Sequence, residues 1–102
     1  MTDTMQHHHV VLVPQEDKIH EARELLMQCE KQVSLTRSDG GPISWCASFD
    51  ETRKHFFVDA LFVSQQAVEF HQNNIQQIVN HFGKIMASPP ETTVRSVFTI
   101  SQ

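Results

Sequence analysis

The segment His55 to Val63 is almost unbroken apolar sequence, with Phe56, Phe57, Val58, Leu61 and Phe62 falling on both parities of a short run between two turn signals. Aromatic and β-branched residues in so short a run read as a β-strand, and apolar residues on both parities mean that both of its faces need cover. Such a strand belongs at the centre of a sheet. A chain of 102 residues amounts to one domain and buries a smaller share of its surface than a larger protein. One sheet face can be covered by the chain's own helices. The cheapest cover for the other is a second copy packed sheet to sheet, so a homodimer is expected.

The remaining elements follow from changes of period. His7 to Val13, ending at Pro14, is β-branched and apolar and reads as the first strand. From Glu16 the apolar residues Ile19, Ala22, Leu26, Cys29 and Val33 recur at steps of three and four, which predicts one face of an amphipathic helix. Ser38-Asp39-Gly40-Gly41-Pro42 ends it, because glycine admits positive φ and proline cannot continue a helix. Ile43, Trp45, Ala47 and Phe49 then alternate with polar or small residues as a second strand, and Asp50 to Arg53 turns into the apolar third. Ser64 is placed to cap a short helix running through His71. Ile75, Ile78, Val79, Phe82, Ile85 and Met86 predict another helix, stopped by Ser88-Pro89-Pro90, and Thr92 to Ser101 alternates as a last strand. The fold class is therefore α+β: a ferredoxin-like split β-α-β order, with one antiparallel sheet and its helices on one face. Residues 1–6 read as a loose N-terminal end and 7–102 as the domain; His7-His8-His9 reads as native, since it runs directly into a strand.

Charge and composition remove several function classes. Eight basic against twelve acidic side chains give a net charge of −4, and no basic cluster exceeds Arg53-Lys54, which argues against nucleic acid and anionic membrane as partners. The longest apolar run, Val10 to Pro14, is far too short to span a bilayer, and no targeting signal is visible at the start. Cys29 and Cys46 lie inside periodic apolar segments and read as small buried hydrophobes, not a disulfide, so a cytoplasmic location is expected.

The run from His55 to His71, an aromatic-rich strand followed by Ala67-Val68-Glu69-Phe70-His71, resembles the central signature of the antibiotic biosynthesis monooxygenase family, whose members are dimeric α+β barrels. Pro14-Gln15-Glu16-Asp17-Lys18 is similar to that family's entry to its first helix, Gly41-Pro42-Ile43-Ser44-Trp45 to its second strand, and Met86-Ala87-Ser88-Pro89-Pro90 to its linker before the last strand. Two departures stand out. The strand glutamate of many relatives falls on Ala60, with Asp59 one residue away and so on the opposite face, and the stretch after His71 is slightly shorter than usual.

The resemblance implies a cavity between sheet and helices in which a small electron-rich aromatic, a quinol or a polyketide-like substrate, is oxidised by dioxygen with no bound cofactor. That chemistry needs a base, donors for the developing oxyanion and a dry aromatic pocket. His71 matches the family's helix histidine, and an ordinary imidazole pKa of about 6.5 suits proton abstraction; its structural alternative is a hydrogen-bonded tie between helix and sheet. Phe62 and Trp45 are candidate cavity walls or plain core. Of the histidine triplet, His7 and His9 are preferred to His8 as substrate-binding partners of His71, because they share parity with Val11 and Val13. No metal is expected: no Cys/His spacing resembles a zinc motif and no third ligand lies at helical spacing. His81 is placed as in the haem-degrading branch, but that branch's strand-one asparagine and helix tryptophan are not matched. Two other functions stay open: a dimeric binding or stress-related domain without catalysis, which Ala60 permits, and an isomerase-type relative that clears a small phosphorylated signalling molecule, for which no basic cradle is evident.

Overall fold

The computed structural model describes residues 4–101. Four strands, β1 (Gln6–Leu12), β2 (Ser44–Asp50), β3 (His55–Phe62) and β4 (Glu91–Ser96), form one sheet in the order β2-β3-β1-β4, every neighbouring pair antiparallel. Helices α1 (Ile19–Leu35), α2 (Gln65–Asn74) and α3 (Gln76–Phe82) complete the expected split β-α-β order, and a 3-10 turn at Glu16–Lys18 leads into α1. None of these helices is long and apolar enough to cross a membrane.

The helix periodicity is realised directly: Ala22, Leu26, Cys29 and Val33 of α1 are its buried residues. Ala22, Leu26 and Cys29 pack with Leu12, Phe56, Val58 and Phe82 in the larger of two core clusters; Ala60, Phe62 and Val68 form the smaller. Gly40 and Gly41 have φ of 149° and 90°, and a Cβ on Gly40 would stand 3.2 Å from the Phe70 ring, so that turn needs glycine for both conformation and space. Gln32 Nε2 donates to Asn74 Oδ1 and Asn74 Nδ2 to Thr36 Oγ1, each at 2.8 Å, which ties the end of α1 to the end of α2.

Ser64 caps α2 as expected, its Oγ accepting from the Ala67 amide at 3.1 Å. Ser64→Ala is expected to cost about 1 kcal/mol in a denaturant melt, the usual loss for an N-cap hydroxyl. A loss indistinguishable from zero would show that α2 is held by Val68 alone.

Strand parity is set by pairing. On β3, Phe56, Val58, Ala60 and Phe62 are buried under the helices, while His55, Phe57, Asp59 and Leu61 are half-buried on the opposite face. The register Gln6↔Phe62, His8↔Ala60, Val10↔Val58, Leu12↔Phe56 puts these β1 residues on the helix side and leaves His7, His9 and Val11 on the uncovered side.

Four details differ from the sequence reading. Gln6, placed in the loose end, is already paired with Phe62 and Ser96; residues 1–3 of that end lie outside the described residues. The last strand stops at Ser96 and not Ser101, because β1 ends opposite it at Gln6; among the described residues one further bond, Val97 N–H to Met5 O at 2.8 Å, follows, and Phe98 is 93% exposed. The last helix stops at Phe82; Ile85 and Met86 are buried instead by a turn whose backbone pairs with the Val13–Gln15 segment, through Gln15 N–H to Ile85 O and Ala87 N–H to Val13 O. Cys29 is buried as expected, but Cys46 is exposed, since its register opposite Asp59 turns it to the uncovered face.

Candidate active site

On the helix side, α2 brings His71 over the end of β3. Val68, one turn earlier, is the buried anchor of α2, and the Ser64 cap fixes where the helix starts. The His71 ring lies 5.4 Å from that of Phe62, whose other neighbour is His8, 4.8 Å away and edge-on. His8 Nε2 donates to Gln6 Oε1 at 2.9 Å. Phe62, at 1% exposure, is thus held between two imidazoles. Trp45 packs against the same Ala60–Phe62–Val68 cluster and also borders a groove of about 420 Å³ between α1 and β2, lined by Leu26, Met27, Phe49 and Phe56, with Arg23 and Glu30 beside it. Arg23 lies over the Phe49 and Phe56 rings, at 5.0 and 5.5 Å from their centroids.

His71 Nδ1 is buried without a hydrogen-bond partner. A polar atom left in that state costs about 1–3 kcal/mol, which a ligand hydroxyl would recover. Burial pushes the His71 pKa down to about 4, and nearby His8 adds to the shift, so the ring is neutral at pH 7. His8 is lowered in the same direction, by burial first and then by His7.

Between an unfolded value near 6.5 and a folded value near 4, the unfolded chain binds a proton that the folded chain refuses. The contribution of a neutral His71 is therefore fully present above pH 6.5 and is lost as the pH falls toward 4. Melts of His71→Gln across this window are expected to show a shallower acid limb than the unsubstituted protein. An unchanged limb would mean that the ring takes up its proton normally when folded.

The preference for His7 and His9 as partners of His71 is corrected by the register: both project from the opposite face, and His8 is the strand-one histidine on His71's side. The apolar residues Val10 and Leu12 share parity with His8 just as Val11 and Val13 share it with His7 and His9, so strand one carried no signal to choose between them. On the uncovered face His7 Nε2 and His9 Nδ1 both donate to Asp59 Oδ1, at 2.9 and 2.8 Å. Burial would raise the Asp59 pKa, but hydrogen bonds and positive charge from His9 and His7 outweigh it and hold the carboxyl below its ordinary value. Ala60 is 3% exposed within the core, so the helix side has no carboxylate at this point of β3. His81 lies away from the sheet, beside Glu21, Glu24 and Gln28 of α1.

A four-stranded antiparallel sheet with helices on one face, and on α2 a half-buried histidine whose Nδ1 is enclosed, define the fold and the candidate site. No family model matches the sequence, and no curated protein does. Among solved structures the chain is similar to a candidate antibiotic biosynthesis monooxygenase from Caulobacter crescentus, with TM-score 0.84 and 17% identity over 95% of this chain and 92% of that one. It is similar also to Rv0793 from Mycobacterium tuberculosis, at TM-score 0.82 and 15% identity over 97% and 100%. A candidate antibiotic biosynthesis monooxygenase from Nitrosomonas europaea gives 0.80 and 12% over 95% and 93%. At these identities the likeness establishes a shared fold, and the arrangement of this chain's own side chains has to carry the function.

Proposed function

We propose that this protein is a monooxygenase of the antibiotic biosynthesis type, acting as a homodimer on a small aromatic, quinol or polyketide-like substrate, with dioxygen as the oxidant and no bound cofactor. The observation that carries this reading is the half-buried, neutral His71, whose enclosed Nδ1 has no hydrogen-bond partner, against the Phe62 ring. The monooxygenase names of two solved structures with the same fold lend it support. A phenolic hydroxyl bound there would give Nδ1 its missing partner. As its proton moves to the ring, an imidazolium–phenolate pair forms in which each charge stabilises the other, so a ring with a low resting pKa still serves as the base. The resulting anion is the species dioxygen oxidises: a quinol and one O2 give a hydroxyquinone and one water, which balances without an outside reductant. The α1–β2 groove offers the substrate an apolar surface; His71 does not line it, but Trp45, in its wall, packs against the Ala60–Phe62–Val68 cluster whose Phe62 ring faces His71.

The test is oxygen uptake by the purified protein with a panel of quinols and anthrones, one O2 being consumed per oxidised product. If none supports uptake, the alternative of a non-catalytic binding domain, which the lack of a carboxylate at Ala60 favours, replaces this reading. The homodimer rests on the uncovered sheet face, where Val11, Phe57 and Leu61 are only half-buried within the chain. Sedimentation at micromolar concentration is expected to give twice the chain mass, and a stable monomer would exclude a sheet-to-sheet dimer.

A further inference from the structure

We propose that His7, His9 and Asp59 form a binding site for a divalent transition-metal ion, zinc in the first instance, on the sheet face away from His71. One donor atom from each residue lies within 4.8 Å of the others. His7 Nε2 and His9 Nδ1 already converge on one oxygen, Asp59 Oδ1, at 2.9 and 2.8 Å. Bonds of about 2.0–2.2 Å to a tetrahedral ion place neighbouring donors about 3.3 Å apart, so the nitrogens and the carboxylate need separate only slightly to admit it.

The arrangement is built into the sheet. His7 and His9 are alternate residues of β1, which is hydrogen-bonded on both sides, to β3 and to β4. Asp59 stands directly opposite His9 on β3, itself flanked by β1 and β2. The backbone under all three ligands is therefore fixed before any ion arrives. The ring orientations are also constrained: His9 stacks on Phe57 at 5.5 Å with a 20° interplanar angle, and meets His7 edge-on at 6.3 Å. Within a single chain all three side chains retain about a third of their exposure, 30% for each histidine and 36% for Asp59, so an ion can reach them before a second copy covers that face.

The donor set selects the class of ion. Two imidazoles and one carboxylate suit zinc and its first-row neighbours, whereas calcium and magnesium require oxygen ligands. Three protein ligands leave at least one position open. His7 and Asp59 also border a hollow of about 430 Å³ lined by Leu61, Val97, Thr99 and Ile100, where a water or a small ligand on the ion would project. This site does not rest on the role given to His71, which lies on the other side of the sheet; it shares its face with Val11, Phe57 and Leu61, so in the proposed dimer the ion would sit between the two sheets.

The experiment is calorimetric titration of the chelator-treated, full-length protein with zinc chloride, accompanied by a thermal melt with and without zinc. Uptake of one ion per chain and a raised Tm are expected. His7→Ala, His9→Ala and Asp59→Asn should each weaken binding by more than about 100-fold, since even residues that merely support a ligand contribute 10–100-fold. His8→Ala is the decisive control. His8 sits between His7 and His9 in sequence but faces the helices, so its loss should leave the affinity unchanged. If His8→Ala weakens binding as much as His7→Ala, the triplet binds as an unstructured histidine tract and the proposal is overturned. It is equally overturned if Asp59→Asn binds normally, or if no ion is taken up. Should Asp59→Asn fail to fold, His9→Gln, which keeps a neutral polar side chain on that strand, carries the comparison with His8→Ala.

Discussion

Truncation of Phe62 to alanine is expected to destabilise the protein by about 3–5 kcal/mol, the range for removing a fully buried phenylalanine. Phe62 is the one large side chain in the described chain with essentially no exposure. Its ring is the centre of the smaller core cluster, in contact with Ala60 and Val68 and faced by His8 and His71 at 4.8 and 5.4 Å. Alanine would leave a void between two imidazoles that already carry the cost of burial, and the helix and strand around it are too constrained by the Ser64 cap and the β1–β3 ladder to collapse into it. Domains of this size have net stabilities of about 5–15 kcal/mol, so the variant would stand near the edge of folding. Urea melts of the two proteins read the difference directly. A loss under about 1.5 kcal/mol would instead mean that the ring borders space open to solvent, which would make Phe62 a cavity wall.

The second large effect concerns activity. His71→Ala is expected to leave fold and dimer intact while lowering turnover of a quinol or anthrone by about 10²- to 10⁴-fold, the usual contribution of a positioned general base. Alanine is the best helix former, so α2 itself should tolerate the change. The substitution also removes the unpartnered buried nitrogen, and with it an energetic liability. Stability and activity should therefore move independently, stability holding or rising near neutral pH while turnover falls. Should the variant unfold, with the surviving folded fraction keeping its specific activity, His71 is a structural tie between α2 and the sheet and the base must be sought elsewhere.

Much of this was legible in the sequence because it depends on local period. The three-and-four spacing of Ala22, Leu26, Cys29 and Val33 admits only a one-faced helix, and those four residues are the ones α1 buries. Ser64 declared its cap by type and position, and Ile43 to Phe49 declared a strand by alternation. Where the pattern misled, a local signal met a non-local limit. Ile85 and Met86 keep helical spacing beyond the end of α3, but their segment finds better partners in the Val13–Gln15 backbone. Residues 97–101 keep apolar alternation, but among the described residues the β1–β4 ladder ends at Gln6 and Ser96.

The sites lay further out of reach, for the same reason. Gln6 to Leu12 carries apolar or aromatic-like side chains on both parities, so nothing within β1 states which histidines face the helices. That was decided by register against β3: His8 lies opposite Ala60, and Ala60 is under the helices. The sequence by itself fixed the kinds of element, their order and the α+β class, since these follow from spacing along one chain segment. Only the tertiary structure decided that His8 joins His71 while His7 and His9 meet Asp59. A contact between residues some fifty positions apart is set by strand pairing, whose register is a property of two segments and their cover together, and is written in neither alone.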